Sequence, residues 1–203
     1  MSRFGFVFSG LLVLFAAVFG LSPFMGGMAS LVEESGPLEI GTILILPVSA
    51  AAFFVLFPRS TWLKALPVPV ALLLLAKREA EQDWWIVDER LLTISFYTEE
   101  GFTATSVVGA IIAAIVVMSG LILCFRGVPL FLRAVAGKQG WALALMAAVF
   151  AAALGQVMEE WEGLFVLVTG SGWLARFFEE GLELCFAYLV LVSVVLGARS
   201  VGR

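Results

Sequence analysis

The residues best placed to do chemistry are glutamates written as Glu179-Glu180-Gly-Leu-Glu183, after which the chain runs apolar from Leu184 onward. On a helix, Glu179 and Glu183 share a face at i,i+4, and Arg176 is spaced to pair with Glu179 or Glu180. A second charged group reads Lys77-Arg78-Glu79-Ala-Glu81-Gln-Asp83 and ends at Trp84-Trp85. Helical spacing sets Lys77 against Glu81, Glu79 against Asp83 and Arg78 against Glu81. Both groups sit at the edge of long apolar runs. A carboxylate below the membrane surface is costly unless a partner, a cation or water meets it, so such residues mark functional sites. The plainer reading of Glu183 is an ion pair with Arg78 or Lys77 that ties two helices together. For Glu79, Glu81 and Asp83 it is a short helix followed by a solvated loop.

The remaining composition narrows what these acids can do. The chain has no histidine, which removes the usual proton shuttle and the commonest zinc ligand. Histidine-dependent nucleophilic catalysis is excluded with it. The two cysteines, Cys124 and Cys185, fall near opposite ends of their helices, too far apart for a disulfide or a shared metal. No Gly-x-x-x-x-Gly-Lys loop is present to cradle a phosphate. Carboxylates, carbonyls and water remain. They suit protons or hard divalent cations, so any cofactor is expected to be Ca²⁺, Mg²⁺ or Mn²⁺.

The elements that must position these acids are membrane helices. Of 203 residues, 62% are hydrophobic and 14% are charged, against about one-quarter charged in soluble domains. Crossing about 30 Å of hydrocarbon takes roughly 20 apolar residues. Runs of that kind extend from about Phe4 to Pro23, Leu38 to Phe57, Phe102 to Phe125, Trp141 to Met158 and Trp173 to Leu196. A further run, Leu66 to Ala76, reaches full length only if its helix continues through the charged stretch to Trp84. Pro67 and Pro69 are compatible with its first turn. The sequence therefore predicts an all-α membrane protein, a bundle of about six transmembrane helices forming one domain over residues 1–203. Met1-Ser-Arg3 before the first run also fits a signal peptide. Without a clear small-x-small cleavage site, it is read as an uncleaved span.

Charge predicts orientation. Arg3, Arg59, Lys64, Arg126, Arg133, Lys138, Arg199 and Arg203 fall on one side of a six-span drawing, with no acid among them. The other side carries Lys77, Arg78, Arg90 and Arg176 and all sixteen acids, a net charge of −12. Lys and Arg collect on the cytoplasmic side, so both termini are expected there, in a bacterial inner membrane. Trp62 and Trp141 would then lie at the inner interface, and Trp84, Trp85, Trp161 and Trp173 at the outer one. Glu33-Glu34, Glu99-Glu100 and Glu179-Glu180 each open a helix running inward. That repeat is compatible with three helical hairpins, and also with carboxylates favouring the positive end of a helix dipole.

Glu34-Ser-Gly-Pro-Leu-Glu39-Ile-Gly-Thr42, Leu75-Ala-Lys-Arg78-Glu79 with Asp83-Trp84, and Glu179-Glu180-Gly-Leu-Glu183-Leu184 together resemble a family of small bacterial inner-membrane proteins with no assigned activity. The family pattern is acid-x-Gly-Pro-x-Glu, Arg-Glu-x-x-x-Asp-aromatic and Glu-Glu-x-x-Glu, on short motifs spread over most of the chain. Trp85 stands where members often carry a histidine. The resemblance implies a polytopic membrane fold and no particular chemistry.

Three expectations about function follow. The acids Glu183, Glu179, Glu180, Glu79, Glu81 and Asp83, with charge partners Lys77, Arg78 and Arg176, form an outward-facing site that binds or moves a divalent metal or a proton. Alternatively, the chain is an accessory subunit offering an acidic periplasmic surface to a basic protein or to other membrane subunits. Small residues such as Gly109, Ala113, Ala147, Ala151 and Gly155 would then permit close helix contact. The third expectation is a metal-dependent hydrolase acting on membrane lipid. Lipid is a partner under every reading, and nucleic acid under none.

Overall fold

The structure is a computed structural model that describes residues 3–21, 29–31, 36–80, 103–169 and 172–201. The described residues are 93% helical, with no strand among them. In chain order the helices are α1 (Arg3–Leu21), a 3-10 turn (Ala29–Leu31), α2 (Pro37–Leu56), α3 (Arg59–Ala65), α4 (Pro67–Glu79), α5 (Ala104–Ile122), a π turn (Leu123–Gly127), α6 (Val128–Ala136), α7 (Gly140–Glu160), α8 (Glu162–Thr169) and α9 (Gly172–Val201).

Four of these are long and apolar enough to cross a membrane: Pro37–Leu56, Ser106–Ala136, Gly140–Glu160 and Gly172–Val201. A fifth is formed if α3 and α4 count as one span. The described residues are thus all-helical apart from short connections, with the helices of a multi-pass membrane protein. In α1 the shorter apolar stretch Ser9–Gly20 lies below span length.

The third apolar run departs from a straight helix. Its axis turns by 60° between α3 and α4. Pro67 and Pro69 lack the N–H groups that would continue the ladder from α3, so the chain restarts a helix at Pro67 instead of extending the old one. On the other side of α3, Trp62 holds it against the end of α2 by donating its indole N–H to the Phe57 carbonyl at 3.0 Å, while its ring meets Phe54 edge-on at 5.4 Å. From Pro67 α4 runs through Lys77, Arg78 and Glu79, and the Ala80 N–H closes the last turn on the Ala76 carbonyl at 3.1 Å. Helix therefore persists past Ala76 into the charged stretch. Its expected continuation to Trp84 lies outside the described residues.

The long helix α9 is central. It makes its most extensive contacts with α7 and α2; α4 packs on α2, and α5 on α4. The core joins Leu46, Ala50 and Phe53 of α2, Leu72 and Ala76 of α4, Ala148 of α7, and Ala187, Val190 and Val194 of α9. Phe53 supplies bulk and stacks on Phe57 at 4.6 Å. The alanines keep backbones close, as membrane helices need when lipid tails are as apolar as the core. Large apolar residues such as Val55, Ile111, Val117 and Met118 face outward, as lipid contact allows.

Three buried hydroxyls donate to backbone carbonyls. Thr42 and Ser49 donate to the carbonyls four residues back, at 3.3 and 2.7 Å, and Ser193 donates to the Trp141 carbonyl at 2.9 Å. The last of these pins the basic end of α9 to the start of α7.

Candidate functional site

The acidic cluster is assembled at one end of the bundle by three helices, α2, α4 and α9. Helix α9 carries Glu179, Glu180 and Glu183 on successive turns, and α4 brings Glu79 in its last turn. Glu183 hydrogen-bonds side chain to side chain with Glu79, and the charges of Glu179 and Glu180 act on it as well. Glu180 feels Glu39, Glu179 and Glu79 as like charges and Arg176 as an opposite one. Counted from Gly172, Glu183 lies about 16 Å along the axis of α9, at 1.5 Å per residue. It is half-buried, as are Glu79, Glu179 and Glu180.

The cations take different places. Arg78 is exposed and donates to the Gln156 side chain of α7 at 3.3 Å. Gln156 in turn donates to Glu159. The guanidinium thus ties α4 to α7, while Glu183 meets Glu79. Lys77 is half-buried on α4, and Arg176 is exposed on α9, within electrostatic reach of Glu180. Oxygen Oε2 of Glu180 is shut off from solvent with no hydrogen-bond partner among the described residues.

Glycines set the close approaches around the cluster. A Cβ on Gly155 of α7 would come 3.8 Å from Cγ of Glu183 and 3.6 Å from Cβ of Leu182, ordinary contact distances. A Cβ on Gly41 of α2 would meet Cδ1 of Leu184 at 2.9 Å, one residue beyond Glu183. Apolar side chains pack beside the cluster. Leu38 and Leu184 are fully buried there with Val18 and Leu31.

Of the acids singled out by sequence, the structure brings together Glu79, Glu179, Glu180 and Glu183. Glu81 and Asp83 lie outside the described residues. Two participants escaped the sequence reading, Glu39 and Gln156. Glu39 sits in the first turn of α2 and reads locally as an ordinary dipole-favoured acid. Gln156 is uncharged and carries no spacing signal. Among the described residues, no group of three or more acidic or cysteine side chains is arranged to hold a metal ion. Cys124 and Cys185 are both free thiols.

No protein-family model matches the chain, and no curated protein or solved structure is detectably similar to it.

Proposed function

We infer that this protein binds a cation, in the first place a proton, at the carboxyl cluster of α2, α4 and α9. One observation carries the reading: Glu79 and Glu183, on different helices, hydrogen-bond to each other through their carboxyl groups. Two carboxylates hold such a contact only with a proton between them or a cation bridging them. The unpartnered Glu180 oxygen beside them adds a second acceptor for the same charge. A divalent ion would need more oxygen ligands than these, drawn from Glu81 and Asp83 or from water. The proton needs none.

The setting belongs to the same proposal. Loop charges favour a six-span arrangement in a bacterial inner membrane, both termini cytoplasmic, which turns the cluster outward to the periplasm.

Infrared spectroscopy on the reconstituted protein tests this. The expected result is a protonated-carboxyl carbonyl band that moves in D₂O and disappears in Glu183→Gln, with the same loss or a shift in Glu79→Gln. A parallel thermal series adds Ca²⁺, Mg²⁺ and Mn²⁺. A site filled at a hundredfold excess over Kd stabilises by about 2.7 kcal/mol, or roughly 5–10 °C in a chain of this size. If wild type shows neither the band nor a metal response, the cation reading fails, and an accessory subunit with an acidic outer face becomes the better account.

A further inference from the structure

Helix α5, the π turn and α6 form one continuous helical run, Ser106–Ala136, of 31 residues. At 1.5 Å per residue that is about 46 Å, against about 30 Å of hydrocarbon. Beginning at the acidic end, the run has crossed the apolar layer by about Phe125-Arg126, where the π turn lies. Pro129 accounts for the turn. It offers no N–H, and its ring would press on the carbonyl four residues back, so the ladder widens and the Val128 N–H bonds to the Leu123 carbonyl.

The π turn and α6 together present three distinct faces. One is packed: Ala134 is buried, and Gly127, Phe131 and Val135 are partly covered beside it. The opposite face is outward and apolar, with Phe125 77% and Leu132 59% exposed, and Val128, in line with Val135, is 49% exposed at its edge. Next to that stripe stand Arg126 and Arg133, two turns apart and both exposed, and Lys138 follows the helix, also exposed. From residue 101 to 158 the sequence holds no acid at all. The described carboxylates lie at the other ends of their helices, in the first turn of α2, the last turns of α4 and α7, and the acidic end of α9.

An apolar stripe this exposed needs lipid, and a cationic stripe directly beside it needs anionic oxygen. Those two demands meet at the headgroup level of a bilayer. We propose that the Phe125–Lys138 segment is a headgroup-binding element that selects anionic phospholipid, with Phe125, Val128 and Leu132 in the acyl boundary and Arg126, Arg133 and Lys138 on the phosphates. The assignment is independent of the carboxyl cluster and of which leaflet faces the cytoplasm.

The test reconstitutes the full chain in phosphatidylcholine vesicles carrying trace spin-labelled phosphatidylglycerol or spin-labelled phosphatidylcholine. Electron paramagnetic resonance then gives the relative association of each label with the protein. Wild type should prefer phosphatidylglycerol by about fivefold or more, the worth of one cation engaged at the surface. The Arg126→Gln/Arg133→Gln/Lys138→Gln variant should fall toward parity, and Arg126→Lys/Arg133→Lys should keep the preference. Parity in wild type, or a full preference in the glutamine variant, overturns the proposal. Should the glutamine variant not fold, ionic strength decides on wild type alone. A preference that fades with salt supports headgroup pairing, and a salt-insensitive one refutes it.

Discussion

Glycine 155 and glycine 41 show how finely the cluster is fitted, because the two differ in what a methyl group would meet. At Gly155 an added Cβ finds ordinary contacts with Leu182 and Glu183. Alanine is also worth about 1 kcal/mol over glycine within a helix. Gly155→Ala should therefore raise the thermal midpoint by roughly 2–4 °C. Gly155→Leu should lower it, because the added bulk has only Glu183 and the α9 backbone to push against. At Gly41 the Cβ would stand 2.9 Å from Leu184. Gly41→Ala should lower the midpoint or leave it unchanged, since the Leu184 methyl must move out of the way. Differential scanning fluorimetry on the purified variants reads all three. A midpoint that falls for Gly155→Ala would mean that α7 and α9 lie closer at the cluster than described.

At the scale of elements, α7 makes the sharpest distinction. Ala144, Ala148, Ala151 and Gly155 are buried, while Ala147 is exposed. Of the three small residues that the sequence groups here for close contact, Ala151 and Gly155 therefore face inward and Ala147 outward. Ala148→Leu should destabilise by about 1–3 kcal/mol, because it overpacks the core between α2 and α9. Ala147→Leu should change stability by less than about 0.5 kcal/mol, as surface substitutions do. Equal losses at both positions, measured by denaturant unfolding in detergent, would show that the 147 face is covered as well. The apolar runs and their terminal charges were legible in the sequence, because hydrophobic length is a local property. Glu39 and Gln156 were not legible as partners of the cluster, since what brings them in is the crossing of α2 and α7 over α9. Helix α8 was also missed: it lies between two spans, and eight residues of apolar sequence are too short to signal a crossing. The bend at Leu66 had its cause in plain view at Pro67 and Pro69. The seating of α3 on α2, by contrast, includes Trp62 closing back on Phe57, a contact that spacing alone does not reveal.

Across the whole molecule, the charge pattern and the structure divide the ends in the same way. The described acids gather at the ends of α2, α4, α7 and α9 that surround Glu183. Arg59, Lys64, Arg126, Arg133, Lys138 and Arg199 lie at the opposite ends of their helices. That polarity makes orientation testable without reference to function. Cys124 and Cys185 are first replaced by serine or alanine, and single cysteines are then introduced at Lys64, Lys138 and Glu160. All three positions border helix ends, and Lys138 and Trp161 beside Glu160 are exposed. A membrane-impermeant maleimide applied to intact spheroplasts should label the cysteine at 160, and should reach those at 64 and 138 only after permeabilisation. Because Lys and Arg resist translocation while Asp and Glu matter little, the opposite pattern would require the basic loops to have crossed against the insertion bias. Such a result would turn the carboxyl cluster toward the cytoplasm and give the proton or cation proposed to bind there a different source. It would leave the headgroup role proposed for α6 intact but move it to the outer leaflet.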